Sequence, residues 1–318
     1  MEEGTGTVQV SGSDRYGGYY DHDDNIVSVW DQIGGIVAAL FKAAAGVGVL
    51  IGSDYLVAYV MFAMNKNPLI FNGVYTTVSS LLTIIVLFIF SRAEGYVFCK
   101  QKSDLIKFRK LDIKEGMTCV LIALAVLMIV TVYMLIARWI SSYQALVNSE
   151  VQRYDESMEA YPIKNVYPKW DQLLYVFALT FLIPISEEFT FRGIVYGAIN
   201  RRLNGAWAIA VSSAVFGMMH GISIHIGYAL ISGVIIGLAY YAYDSIVATI
   251  IIHGVFNFFG SAIFYLADFL GISRNSIPGM FTVELLATLP ALALLFTEVG
   301  KRQKMNKGLI KDGINEQA

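Results

Sequence analysis

Long apolar runs separated by short polar stretches make up most of the chain. A helix needs about 20 predominantly apolar residues to cross a bilayer. Lys42 and Asp54 interrupt the first such run, which could form one long tilted helix or a broken one. The pattern predicts an all-α fold, a polytopic transmembrane helical bundle with about eight spans. The predicted spans lie at 33–63, 74–95, 117–138, 173–199, 206–222, 226–243, 245–267 and 281–298.

Composition supports lipid as the solvent. Of the 318 residues, 56% are hydrophobic and 15% are charged, against roughly 45–50% and about 25% in soluble globular chains. The net charge of −2 gives no reason to expect nucleic acid as a partner. Two cysteines, Cys99 and Cys119, do not make a disulfide framework. Membrane lipid is therefore the first predicted partner.

The distribution of Lys and Arg predicts the orientation. Three segments are basic, at 97–116, 201–202 and 301–311, whereas the 139–172 loop is acidic, with residues such as Glu150, Asp155, Glu156 and Glu159. Short basic loops favour the cytoplasmic side. With eight spans and both termini inside, all three basic segments are cytoplasmic and the 139–172 loop is outside. The polar residues 1–31 are predicted to be a disordered tail.

Small residues recur four positions apart in several spans. This spacing lets helix backbones approach closely in lipid, although membrane helices are rich in glycine in any case. The pairs are Gly193 with Gly197, Gly217 with Gly221, and Gly233 with Gly237.

The fourth span carries charges near its centre. Glu187, Glu188 and Arg192 together cost roughly 8–10 kcal/mol on insertion, while the apolar residues of the span return about 4–8 kcal/mol. This helix must therefore bury its charges against partners. Charges kept at such a position usually serve a function.

Spacing assigns different roles to these charges. Glu188 and Arg192 lie at i,i+4 in the favourable order for a helix ion pair. Glu187 points about 100° away around the helix and has no local partner, which makes it a candidate general base. Pro184 cannot donate a main-chain hydrogen bond, so it frees a carbonyl and favours a kink.

Two further spans carry polar pairs. Phe216 and His220 lie at i,i+4, as do His253 and Asn257, so each pair shares one helix face. A lone Glu–Arg pair is often structural, and a lone histidine in a membrane helix is more often a helix–helix hydrogen bond than a catalyst. Three such elements on three spans favour one shared polar site. His225 is interpreted as an interfacial residue.

These residues resemble the motifs of the CAAX protease and bacteriocin-processing (CPBP) family. Glu187-Glu188-Phe-Thr-Phe-Arg192 matches EExxxR, Phe216-Gly-Met-Met-His220 matches FxxxH, and His253-Gly-Val-Phe-Asn257 matches HxxxN. The resemblance covers roughly residues 170–262. Each motif is short, but the three in order, each within an apolar span, are specific.

The resemblance implies the fold and activity of type II CAAX prenyl endopeptidases of the Ras-converting type. That is a helical bundle whose cavity opens to the cytosol and laterally to lipid, with a glutamate-dependent protease mechanism and no required metal or other cofactor. By position, Glu187 and His220 would hold and activate the water, and His253 and Asn257 would stabilise the oxyanion. Glu188 and Arg192 would support the site, with Phe216 packed on the His220 ring.

The expected substrate is a hydrophobic or lipidated peptide or protein, either prenylated and CAAX-like or an unmodified peptide such as a bacteriocin precursor. Three alternatives stay open. Glu187, His220 and His253 could instead bind zinc, although no span carries HExxH. The chain could be a non-catalytic bacteriocin-immunity or signalling scaffold. It could also be a proton-coupled transporter that uses the buried glutamate.

The resulting division has four parts. Residues 1–31 are the polar tail, and 32–160 hold N-terminal transmembrane helices with the basic loop. Residues 161–299 form a CPBP-like catalytic transmembrane core, and 300–318 a basic cytoplasmic tail. The distribution of the family favours a prokaryotic plasma membrane.

Overall fold

The computed structural model describes residues 29–97, 105–159, 168–221, 223–273 and 281–315. Nearly all of the predicted tail, residues 1–28 of 1–31, lies outside these ranges. Within them the chain forms helices and no strand. The helices are α1 (Val29–Ala63), α2 (Asn72–Val97), α3 (Ile113–Ser141), α4 (Ala145–Glu159), α5 (Lys169–Asn200), α6 (Gly205–Met218), α7 (Ser223–Tyr243), α8 (Ile246–Leu270) and α9 (Phe281–Asn315).

The all-α polytopic bundle is confirmed. Seven helices of the described part of the chain are long and apolar enough to cross a membrane: α1, α2, α3, α5, α7, α8 and α9. The eighth predicted span is α6, with 14 residues, about 21 Å at 1.5 Å per residue. Gly205 lies against Tyr241 and Gly217 against Ile226, so α6 and α7 form an antiparallel hairpin. The predicted even number of membrane crossings therefore depends on whether α6, the shortest helix described, forms the eighth span.

The helix lengths settle one open alternative, at α1, and differ from the prediction at α9 and α4. Helix α1 is continuous over 35 residues in spite of its two charges. Helix α9 runs to Asn315, into the predicted C-terminal tail. Helix α4 was not predicted, because its sequence is polar and lies in a segment interpreted as a loop.

Local capping explains where several helices begin and end. Asp112 accepts a hydrogen bond from the Glu115 main-chain N–H, and the Glu115 carboxylate accepts one from Asp112, which forms a capping box at the start of α3. The Asn204 side chain caps α6 through the Trp207 N–H. Gly271 ends α8 with φ of +70°, a conformation that glycine adopts without strain.

The start of α5, the helix that carries the two glutamates, is fixed by a buried carboxylate. Asp171 is fully buried, and its two oxygens accept the Gly73 and Val74 main-chain N–H groups at 2.8 Å each. These are unpaired donors of the first turn of α2, where the helix dipole also favours a negative charge. Asp171 therefore ties α5 to α2.

The predicted packing of glycines between helices is present at the α6–α7 contact and absent at the other positions. A Cβ at Gly193 or Gly197 would meet Ile106 or Leu105, so this pair accommodates the segment before α3 rather than a helix. Gly233 and Gly237 of α7 face α6. Gly221 has no neighbour within 4 Å among the described residues and has φ of +69°, so it shapes the α6–α7 turn instead of packing.

Candidate active site

Helix α5 departs from regular α-helical geometry on both sides of the two glutamates. π-Helical segments occupy Ala178–Leu182 and Phe189–Val195, with Ile183–Glu188 between them in α-helical form. A third π segment, Phe258–Ala262, follows Asn257 in α8. Single π-helical turns occur frequently at functional sites because they redirect side chains.

Pro184 accounts for one contact across the site. In the first π segment the Ile183 N–H donates five residues back, to the Ala178 carbonyl. By the same pattern residue 184 would donate to Leu179, but proline has no N–H. The Asn257 side-chain amide donates to the Leu179 carbonyl instead, at 3.1 Å. The carbonyl that Pro184 frees is therefore that of Leu179, and its hydrogen bond with Asn257 holds α8 against α5.

Gly254 makes this approach possible. A Cβ at residue 254 would lie 2.8 Å from the Thr180 carbonyl oxygen, a distance that real Cβ atoms do not reach. Glycine is the residue that lets two backbones come this close. The HxxxN motif therefore contains a packing residue between its two polar ones.

Glu188 and Arg192 form the predicted ion pair inside the protein. Arg192 Nη1 lies 3.1 Å from Glu188 Oε1, and both side chains are fully buried. Arg192 Nη2 also donates to the Gly233 carbonyl of α7 at 3.1 Å. The pair thus neutralises the charge that α5 carries into the bundle and links α5 to α7.

His253 joins this pair from α8. Its Nδ1 lies 2.9 Å from Glu188 Oε1, and its Nε2 lies 3.6 Å from Glu187 Oε2. The Glu187 side chain is 21% exposed, whereas that of Glu188 is fully buried. Glu187 therefore has no ion-pair partner on its own helix, as predicted, but faces a histidine from another helix.

Phe216 lies at the centre of the cluster. The Arg192 guanidinium carbon sits 5.0 Å from the ring centroid, within cation–π range. The His220 and His253 ring centroids lie 4.7 and 5.9 Å away. The predicted packing of Phe216 on His220 is present, and the phenyl ring also separates His220 from the Glu188–Arg192 pair.

His220 lies at the turn after α6, half-buried, and its Nδ1 is 2.9 Å from the Phe216 carbonyl oxygen. A carbonyl only accepts, so Nδ1 carries a proton and Nε2 of the neutral ring is an acceptor. The structure therefore brings Glu187, Glu188, Arg192, Phe216 and His253 together. His220 adjoins them through Phe216, and Asn257 through the Leu179 carbonyl.

Sequence reasoning missed the aromatic residues beside His220. The ring centroid of His225 lies 6.4 Å from that of His220 and 4.8 Å from that of Tyr154 in α4. Tyr228 packs edge-on against His225 at 5.1 Å and lies within electrostatic range of Glu187. No sequence pattern connects Tyr154 with this site, because only tertiary packing brings α4 there.

Two polar atoms of the ion pair, Glu188 Oε2 and Arg192 Nε, are buried without a hydrogen bond within the described ranges. The nearby Thr249 hydroxyl donates to the Ile246 carbonyl instead. Leaving a buried polar atom without a hydrogen bond costs free energy. No group of three or more His, Cys, Asp and Glu side chains in the described part of the chain has the arrangement of a metal site.

The fold and the buried charges define a polytopic helical membrane protein with a Glu–His–Arg site between four helices. Residues 169–259, from the start of α5 into α8, match the family model of the Rce1-like type II CAAX prenyl endopeptidases. This segment is therefore similar to domains of the Rce1-like CAAX endopeptidase type, and the predicted resemblance is confirmed there. No curated protein and no solved structure matches the chain.

Proposed function

We propose that this site hydrolyses a peptide bond of a membrane-associated substrate with a water molecule activated by Glu187. The observation that carries the proposal is the 3.6 Å gap between Glu187 Oε2 and His253 Nε2. The gap is slightly long for a direct hydrogen bond. A water molecule beside both atoms could donate one hydrogen to each, which fixes its position and exposes its lone pair.

The tautomer of His253 follows from its partner. Glu188 is paired with Arg192 and acts as an acceptor, so His253 donates through Nδ1. Nε2 of the neutral ring therefore accepts. The Glu188 carboxylate, in turn, stabilises the imidazolium that forms when His253 gains a proton, as a buried carboxylate does beside a catalytic histidine.

The proposed reaction conserves protons. Glu187 takes a proton from water, and the hydroxide forms a bond to the carbonyl carbon. His253 Nε2 takes the second proton of that water, and the resulting imidazolium can donate to the developing oxyanion, which supports the predicted oxyanion role. Glu187 then delivers its proton to the leaving nitrogen, and the C–N bond breaks to give a carboxylate and an amine. The proton on His253 passes to the amine or to solvent water, which restores the site.

His220 and Asn257 have supporting positions in this scheme. His220 presents Nε2 as an acceptor, which suits the second water-holding group that the family resemblance implies. Asn257 uses one amide N–H on the Leu179 carbonyl, and its amide carries a second N–H for the oxyanion. Glu188 and Arg192 act through His253 and are positioning residues.

The substrate class follows from the domain and its surroundings. An Rce1-like domain in a helical bundle indicates a substrate that is itself membrane-associated. We propose a hydrophobic or lipidated peptide or protein, cleaved close to its membrane attachment. A required prenyl group is one form of this proposal and is tested separately.

The test is cleavage by detergent-purified protein of a prenylated CAAX peptide and a panel of unmodified hydrophobic peptides. Glu187→Gln should abolish cleavage, while Glu284→Gln, a matched change in α9 outside the site, should leave it intact. Cleavage that persists with a strong chelator supports metal independence, and loss that zinc restores would favour the zinc alternative. No cleavage by folded protein would favour the scaffold alternative.

A further inference from the structure

Helix α7 carries none of the three predicted motifs, but it borders the site. Its Gly233 carbonyl accepts a hydrogen bond from Arg192 Nη2 at 3.1 Å. Phe216, which lies against the Arg192 guanidinium, belongs to an apolar cluster with Phe191 of α5. Tyr228, near the start of α7, packs against this cluster. A phenol group from α7 therefore lies next to the groups that the motifs supply.

Tyr228 lies close to Glu187. Glu187 precedes Phe191 by four residues, so both side chains lie on one face of α5. Because Tyr228 packs against the cluster that contains Phe191, this face of α5 is turned towards Tyr228. The Glu187 carboxylate is within electrostatic range of the Tyr228 phenol. The proposed base therefore has polar neighbours from two other helices, His253 of α8 and Tyr228 of α7.

Other rings hold the Tyr228 ring in place. It packs edge-on against His225, with ring centroids 5.1 Å apart, and against Tyr154 of α4, with centroids 6.4 Å apart. Edge-to-face pairs at such separations are favourable. Helix α4 is fixed to α3 by the ion pair of Arg138 with Asp155, in which two nitrogens donate to two oxygens. The orientation of the Tyr228 ring therefore depends on packing that does not involve its hydroxyl.

The Tyr228 hydroxyl is available as a donor. In the part of the chain that the structure describes, no residue forms a hydrogen bond with it. A phenol O–H can donate one hydrogen bond, and an ionised carboxylate accepts through both of its oxygens. Glu187 Oε2 faces His253 Nε2 at 3.6 Å. The other carboxylate oxygen, Oε1, can accept from a different donor.

We propose that the Tyr228 hydroxyl donates a hydrogen bond to the Glu187 carboxylate, directly or through one water molecule. This bond orients the base towards the water that it shares with His253, and holding a catalytic group in its productive geometry lowers the barrier. The inference rests on the proposed function for its chemistry and on the packing of α7 against α5 for its geometry. Tyr228 acts through Glu187 and is therefore a positioning residue.

The first experiment measures cleavage kinetics of the detergent-purified full chain. Tyr228→Phe removes the hydroxyl and keeps the ring, and Tyr143→Phe makes the same change at a ring that is 74% exposed. Tyr228→Phe should lower kcat about tenfold, with KM within about twofold of wild type, because the hydrogen bond serves the transition state and not substrate binding. Its Tm should match that of wild type, and Tyr143→Phe should change neither constant. An unchanged kcat, or a change in KM alone, overturns the proposal.

The second experiment needs no cleavage. Fluorotyrosine is incorporated at position 228 of the full chain, and its fluorine NMR resonance is compared between wild type, Glu187→Gln and the matched change Glu284→Gln in α9. The resonance should move in Glu187→Gln and stay in place in Glu284→Gln. A resonance that does not move in Glu187→Gln, or that moves equally in both variants, overturns the proposal. If folded wild type cleaves no peptide, the proposed function fails, while the resonance still decides whether the Tyr228 hydroxyl faces Glu187.

Discussion

Removing Arg192 tests how the buried charges are balanced. In Arg192→Met the side-chain volume is similar, but Glu188 is left buried without its cation, since both side chains are fully buried in the wild type. Breaking a buried ion pair from one side costs about 3–5 kcal/mol. The Gly233 carbonyl also loses its hydrogen bond from a charged donor. We therefore expect a loss of about 4 kcal/mol, or roughly 8–16 °C in Tm at about 2–4 °C per kcal/mol.

The double variant Glu188→Gln with Arg192→Met separates charge balance from chemistry. It buries no unpaired charge, so most of the lost stability should return. A neutral amide cannot stabilise a His253 imidazolium, so cleavage should stay at least about tenfold below wild type, or about 1.4 kcal/mol in the barrier. Thermal unfolding in detergent and single-turnover cleavage measure the two quantities.

Arg153→Met is the control. Arg153 forms an ion pair with Glu150, and the Arg153 side chain is 61% exposed. Such exposed ion pairs contribute about 0–1 kcal/mol to stability. Two results would contradict this account. One is an Arg192→Met variant with the same Tm as wild type, and the other is a double variant with a Tm as low as that of Arg192→Met alone. Either result would mean that the Glu188–Arg192 ion pair is not what allows α5 to be buried in the bundle.

Three further predictions concern separate parts of the site. Glu187→Gln should lower single-turnover cleavage by about 100-fold or more with little change in Tm, and a variant that is equally active would exclude Glu187 as the base. Gly254→Ala should destabilise by about 1–3 kcal/mol, because its methyl group would meet the Thr180 carbonyl at 2.8 Å; an unchanged Tm would contradict the close approach. Arg138 lowers the pKa of Asp155 by direct hydrogen bonding. The Asp155 carboxylate therefore stabilises the folded protein at pH values above its unfolded-state pKa, ordinarily 3.8. This stabilisation is lost as the pH falls through the lower pKa of the folded state. Asp155→Asn should accelerate hydrogen exchange in α4 at neutral pH, and wild type should match it only in strong acid.

Hydrophobic periodicity determined most of the architecture before any contact was known. The eight apolar runs all became helices, because lipid leaves the backbone no alternative partner for its hydrogen bonds. The i,i+4 spacing of Glu188 and Arg192 likewise fixed their pairing, since neighbours at that distance on one helix meet directly. Both predictions depend only on local geometry.

Other features depend on which helices meet. Helix α4 has a polar sequence, and its place beside His225 comes from Tyr154 and from the Arg138–Asp155 ion pair, 17 positions apart in the chain. The capping of α2 by Asp171 joins residues 98 and 97 positions apart. Sequence spacing carries no signal for such contacts.

The sequence by itself determined the class of the protein, its spans and the short list of groups able to perform chemistry there. It did so because charged residues are costly in lipid, and each one can be recognised in the sequence without knowledge of the fold. Only the tertiary structure decided that His253 donates to Glu188 and faces Glu187, and that Asn257 replaces the N–H missing at Pro184. Each of these is a relation between helices, and it exists only once their packing fixes depth and rotation.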